Sequence, residues 1–258
     1  VQQGLERISK IVMPVLLIML VVLVCHSATM AGAAEGYRFL FTPDFEKAFS
    51  VQTIVSAVGQ AFFSLSIGLG CMIAYSSYFK EGTNLTKTSF SVSLMTFFVA
   101  MLSGMVIFPA VFSVEGLEPT AGPTLLFETM PFIFAEMPAP ELWSAIFFLL
   151  VALAALTSTI SFHEVLTQYL QENHNVARKH AARITTLATI VLSMVCLKWE
   201  WFFGAFDTVT ADVLMPVGGL LTAVFAGWVF DRKVFREQIS NYGTLPAKLF
   251  PLLVFTLK

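Results

Sequence analysis

Six long stretches of this chain are almost free of charge: Ile11 to Met30, Val51 to Tyr78, Leu94 to Val114, Leu142 to Leu170, Ile184 to Leu197 and Val213 to Phe230. A helix needs about 20 apolar residues to cross a bilayer. Inside the hydrocarbon only helices or closed barrels satisfy every backbone N–H and C=O. The pattern predicts an all-α, polytopic membrane protein. Composition agrees, since 57% of the 258 residues are hydrophobic and 12% are charged, against about 25% charged in soluble domains. A net charge of −2 without a long basic run excludes a nucleic-acid binder. Cys25, Cys71 and Cys196 lie in apolar runs without CxxC spacing, and read as small apolar fillers rather than a disulfide or zinc framework. The chain begins at Val1 and its last apolar stretch, Leu249 to Leu257, is too short to span. It reads as a fragment: one transmembrane domain over 1–258, with six spans and a truncated seventh.

Because spans alternate sides, the basic residues set the orientation. Arg7, Lys10, Lys80, Lys87, Arg178, Lys179, Arg183, Arg232, Lys233, Arg236 and Lys248 fall on one side; Arg38, Lys47 and Lys198 fall on the other. The start of the chain is therefore assigned to the cytoplasm, in a plasma (inner) membrane. The connector from Val114 to Glu141 carries acids and no basic residue, which suits the outside. Leu125 to Phe134 within it is compatible with a short helix folding back as a lid or with a surface loop.

Polar residues interrupt the membrane at three places. The second span reads AVGQAFFSLSIGLG from Ala57, with Ser64 and Ser66 ahead of Gly68 and Gly70. Glycine costs about 1 kcal/mol against alanine in a helix, so two readings stand: a helix unwound at about 66–70, whose free carbonyls offer ligands, or a continuous helix using small residues for close packing. The fourth span holds ALTSTIS at Ala155 to Ser161. Each hydroxyl there can bond its own preceding carbonyl, or the cluster can offer neutral oxygens to a hard monovalent cation such as Na+. Asp207 and Asp212 stand at the start of the sixth span, and intramembrane acids are functional candidates, although Asp207 also fits a solvated boundary position. Glu164 and Glu172 lie in the cytoplasmic half of the fourth span, Glu172 also fitting a wet helix end. His26, His163, His174 and His180 are scattered, and no HExxH or Ser/His/Asp set occurs, so no enzyme is expected.

AVGQAFFSLSIGLG followed by CMIAYSSY, IFPAVF at Ile107, GPTLLFETMPFIF at Gly122, ALTSTIS at Ala155 and MPVGGLLTAVFAGW at Met215 resemble the neurotransmitter:sodium symporter family, in its bacterial amino-acid transporter branch. The resemblance covers essentially the whole chain and implies an inverted-repeat sodium symporter fold, represented by helices 5 to 10 and the start of 11, without helices 1 to 4. It implies one Na+ site at Ala154, Thr157 and Ser158. A second maps onto Ser64 and Thr96, with Met95 at the latter position in an ungapped alignment. Gln60 and Ser64 match an anion site whose further position is Ala100, which leaves chloride dependence open. The implied substrate is an amino acid held by Ser66 to Gly70, with Ser64 close by and Phe63, Leu69, Ser158 and Phe162 walling its side chain. That favours an apolar or aromatic side chain. Asp207 resembles the acid of an extracellular gate; Tyr78 and Glu172 resemble parts of a cytoplasmic one. The function implied is Na+-coupled import by alternating access; the alternative is an ion-conducting or substrate-sensing protein on the same fold. Homodimer formation is left open.

Overall fold

The computed structural model describes residues 2–76, 79, 83–113 and 123–239. Among them the regular structure is helical: α1 (Gln2–Ser27), α2 (Ala33–Phe41), α3 (Phe45–Ala48), α4 (Val51–Ser64), α5 (Cys71–Ser76), α6 (Leu85–Ser113), α7 (Pro123–Ala135), α8 (Pro140–His174), α9 (Arg178–Lys198), α10 (Glu200–Thr208), α11 (Met215–Val224) and α12 (Arg232–Ile239). Wide π turns at Val209–Leu214 and Phe225–Val229 join α10, α11 and the end of that span. Tyr78, the connector residues 114–122 and the last apolar stretch lie outside the described residues.

Among the described residues, five helical stretches are long and apolar enough to cross a membrane: Ser9–Ser27, Leu85–Ser113, Pro140–His174, Arg178–Lys198 and Trp201–Val229. The remaining expected span, from Val51, is split into α4 of 14 residues and α5 of 6, neither of which crosses alone. Most helices outrun their apolar windows. α8 extends to 35 residues, with Glu141 in its first turn, at the helix end whose dipole favours an acid, and His174 in its last. α9 starts at Arg178 rather than Ile184, since charged residues end a hydropathy window without ending a helix.

The chain forms two compact units, one of Val1–Asp44 with Phe97–Ile160 and the other of Phe45–Thr96 with Ser161–Lys258. In the first, Leu23, Val106, Ala110, Met130, Ile133, Phe134, Phe147 and Leu150 make the core. α7 contributes Thr129, Met130, Ile133 and Phe134, a spacing that places them on one helical face. The connector therefore contains a packed helix rather than a loop. Phe134 tilts against Phe147 with ring centroids 5.4 Å apart, a geometry worth about 0.5–1.5 kcal/mol beyond the area buried. Glycines let α2 lie on the end of α6: a methyl built on Gly32 would stand 2.3 Å from the Phe112 carbonyl carbon, and one on Gly36 2.5 Å from the Pro109 nitrogen. The Gly32 N–H donates to Ser113 Oγ at 2.8 Å, and that hydroxyl donates to the Pro109 carbonyl at 2.7 Å.

In the second unit, α4 packs along the Val209–Leu214 turn and α11, and α9 along α10. α4 is started by Ser50, whose Oγ accepts the Thr53 N–H at 3.2 Å. Such a cap satisfies one of the orphan donors of a first turn and is worth about 1 kcal/mol.

Candidate functional site

α4 stops by a specific device. The Ile67 N–H donates to the Phe62 carbonyl at 2.9 Å and the Ser66 N–H to the Phe63 carbonyl at 3.1 Å, while Ser66 is left-handed at φ 53°. This is a Schellman close, in which glycine is the usual left-handed residue. Serine pays about 1–2 kcal/mol for that conformation. Gly68 and Gly70 follow at φ 84° and 77°, so every second residue from 66 to 70 is left-handed and no helix can pass through. The helix resumes when the Ala74 N–H reaches the Gly70 carbonyl at 3.0 Å. The unwound reading of this span is correct; the continuous helix is not.

Phe63, Ser64, Ser66, Gly68 and Leu69 are thus brought together on one non-helical turn and its approach. Ser64 Oγ accepts from Gln60 Nε2 at 3.4 Å. Phe63 and Phe162 are exposed and Leu69 is half-buried. Thr96, in the same unit, is half-buried, and its alternative Met95 is exposed.

Ala154, Thr157 and Ser158 occupy one turn of α8 in the first unit. The Ala154 carbonyl accepts from Thr157 Oγ1 at 2.7 Å and from Ser158 Oγ at 3.4 Å. Three oxygens therefore meet at one point of the helix surface. The back-bonding expected of hydroxyls in an apolar helix and the clustering of oxygens are the same geometry, because each donated proton leaves the lone pairs of its oxygen available. Thr157 is only 9% exposed.

Asp207 is exposed in the last turn of α10, and Glu172 is exposed near the end of α8. Asp212 lies in the π turn, its Oδ1 3.1 Å from where a methyl on Gly59 would be. Two side-chain pairs lie outside the expectations drawn from the sequence. Tyr75 OH hydrogen-bonds Ser161 Oγ, tying α5 to α8, and Gly70 faces Val165 one turn further on. Arg178 Nη2 donates to both Glu164 oxygens at 2.8 and 2.7 Å, joining α8 to the start of α9. An acid in an apolar run needs a cation, and Arg178 is the first after the turn; that signal was present. Nothing comparable marks Tyr75.

The sequence model described as the sodium:neurotransmitter symporter family matches residues 1–257. An uncharacterized sodium-dependent transporter of Bacillus subtilis (strain 168), YhdH, is 36% identical over 261 residues, covering 97% of this chain and 57% of the relative. An uncharacterized sodium-dependent transporter of Haemophilus influenzae is 34% identical over 254 residues, covering 93% and 55%. The crystal structure of MhsT in complex with L-phenylalanine superposes with a TM-score of 0.84 at 31% identity, over 98% of this chain and 62% of that one. The chain thus spans a little over half the length of these curated relatives.

Proposed function

Since this chain belongs to the sodium:neurotransmitter symporter family, a family of transporters rather than enzymes, we propose that the protein is a Na+-coupled symporter importing an amino acid with an apolar or aromatic side chain. The observation that carries the reading is the non-helical turn at 66–70. It exposes backbone carbonyls and N–H groups at membrane depth, where irregular backbone is tolerated only if it is buried in protein or lines a cavity. Phe63, Leu69 and Phe162 offer apolar surface to a side chain, and Ser64, Ser66 and Gly68 offer polar atoms near it; Ser158 is added to the substrate residues by the family resemblance alone. The L-phenylalanine bound by MhsT supports an aromatic substrate.

Na+ is assigned to Ala154, Thr157 and Ser158, where a carbonyl and two hydroxyls offset part of the dehydration of a hard cation. A second Na+ is assigned to Ser64 and Thr96. Each positive charge moving inward through 100 mV gains about 2.3 kcal/mol before the concentration term, which is the work available for accumulation. Asp207 serves an outer gate and Tyr78 with Glu172 an inner one. In this reading the spans are helices 5 to 10 of the family, in a plasma membrane with the start of the chain cytoplasmic.

The test is uptake of labelled phenylalanine, tryptophan, tyrosine and leucine by the full-length protein in proteoliposomes. Accumulation should require inward Na+ and be lost when K+ or choline replaces it. Downhill flux without accumulation would favour a channel, and absence of binding across a wide amino-acid panel in Na+ would remove the substrate assignment.

A further inference from the structure

Gly68 does more than permit a turn. A methyl built on it would stand 2.4 Å from the Met215 carbonyl oxygen, and a methyl on Gly218 would stand 2.7 Å from the Gly68 carbonyl oxygen. Both distances are below any real contact, so the unwound segment and the first turn of α11 touch backbone to backbone, from both sides. The contact continues toward the start of α4. A methyl on Gly219 would fall 2.0 Å from Phe62 Cε1, and one on Gly59 3.0 Å from the Ala211 carbonyl oxygen. Small residues allow such approaches in membranes.

The facing helix is irregular at the same place. The Met215 N–H reaches back five residues to the Thr210 carbonyl, and Pro216 has no N–H with which to continue that pattern to Ala211. The wide turn therefore ends at Met215, which meets Gly68, while Ala211 in its middle meets Gly59. The Schellman close of α4 holds Ser66 and Ile67, but it does not reach Gly68 and Gly70, two left-handed glycines that are intrinsically adaptable.

We propose that the backbone of α11 from Met215 to Gly219 is the template that fixes the unwound segment, and that Gly218 is a positioning residue for substrate affinity. Gly218 acts through Gly68 and touches no substrate itself. The proposal rests on the assignment of Ser66 to Gly70 to the substrate; the template itself does not.

The experiment compares Gly218→Ala, Gly59→Ala and Gly204→Ala in the full-length protein. Around Gly204 nothing lies within 4 Å of an added methyl, so it is the control. Misplacing a binding group by about an ångström costs tenfold or more. Gly218→Ala should raise the apparent KM for the amino acid by about that factor, while half-saturation by radiolabelled Na+ without substrate stays within about twofold. Amide hydrogen exchange of the 65–71 segment should quicken. Gly59→Ala, a gentler push further along the same seam at Ala211, should give a smaller rise, and Gly204→Ala none. If Gly218→Ala fails to reach the membrane, Gly59→Ala against Gly204→Ala carries the same comparison. An unchanged KM and exchange rate in both seam variants overturns the proposal. So does a parallel loss of Na+ binding and thermal stability, which marks general packing. If the wild type binds no amino acid, the substrate assignment falls, and the exchange rates alone decide whether Gly218 holds the segment.

Discussion

Two polar interruptions of apolar sequence end in opposite structures. Ser64 to Gly70 leaves the helix, whereas Ala154 to Ser161 stays within α8. Both contain serine, and hydroxyl content therefore does not decide. In α8 Thr157 and Ser158 find a partner on their own helix at the Ala154 carbonyl and Thr159 at the Ala155 carbonyl at 2.9 Å, while Ser161 Oγ bonds Tyr75 OH. In the second span the glycines remove the side chains that would keep another backbone away, and Met215 and Gly218 occupy the space. One region keeps most of its hydroxyls bonded to its own helix; the other leaves room for a second backbone to approach. A break in a membrane helix is thus a property of two segments of sequence.

The largest effect expected is that of Gly68→Ala, which meets both a φ of 84° and the Met215 carbonyl. The left-handed cost of about 1–2 kcal/mol adds to overpacking of about 1–3 kcal/mol. Amino-acid binding should be lost, as read by scintillation proximity with labelled phenylalanine. Thr157→Ala should leave α8 intact and weaken half-saturation by Na+ about tenfold, equivalent to one lost oxygen ligand at about 1.4 kcal/mol. An unchanged Na+ response would strip the α8 cluster of its proposed role. Ala155→Gly tests the contrast directly. It should lower thermal stability by the helix-propensity difference of about 1 kcal/mol without unwinding the turn, because Thr157, Ser158 and Thr159 keep their hydroxyls on α8 carbonyls. Hydrogen exchange like that of the 65–71 segment would break the comparison. Ser66→Gly should be the mildest change, stabilising the protein by up to about 1 kcal/mol through relief of a left-handed serine, seen as a raised melting temperature.

Much of this was legible in the sequence, for physical reasons that differ by element. Long uncharged runs announce spans because lipid admits little else. The pair Gly68 and Gly70 announces a weak point, and the resemblance of the surrounding motif sharpened it to a break. Helix ends were less legible: α9 starts at Arg178, inside a charged run that hydropathy leaves out, and there Arg178 pairs with Glu164, fourteen residues away in sequence. The helical state of 123–135 depends on a face that only the core around Phe134 and Phe147 reveals. The π turn at Val209–Leu214 left a single trace, Pro216. The Tyr75 bond to Ser161 left none, since neither residue is unusual in its own surroundings.

The seam between Gly68 and α11 has a thermal consequence. Contacts between side chains freeze rotamers, at a cost of up to about 2 kcal/mol for long residues, and glycine has none to freeze. A junction built from carbonyls and Cα atoms gives its side chains no entropy to regain on warming. Its fit should vary little over the temperatures at which the surrounding leucine and phenylalanine packing softens, so that the geometry of the turn is held most constant where the rest of the helix pair is most compliant.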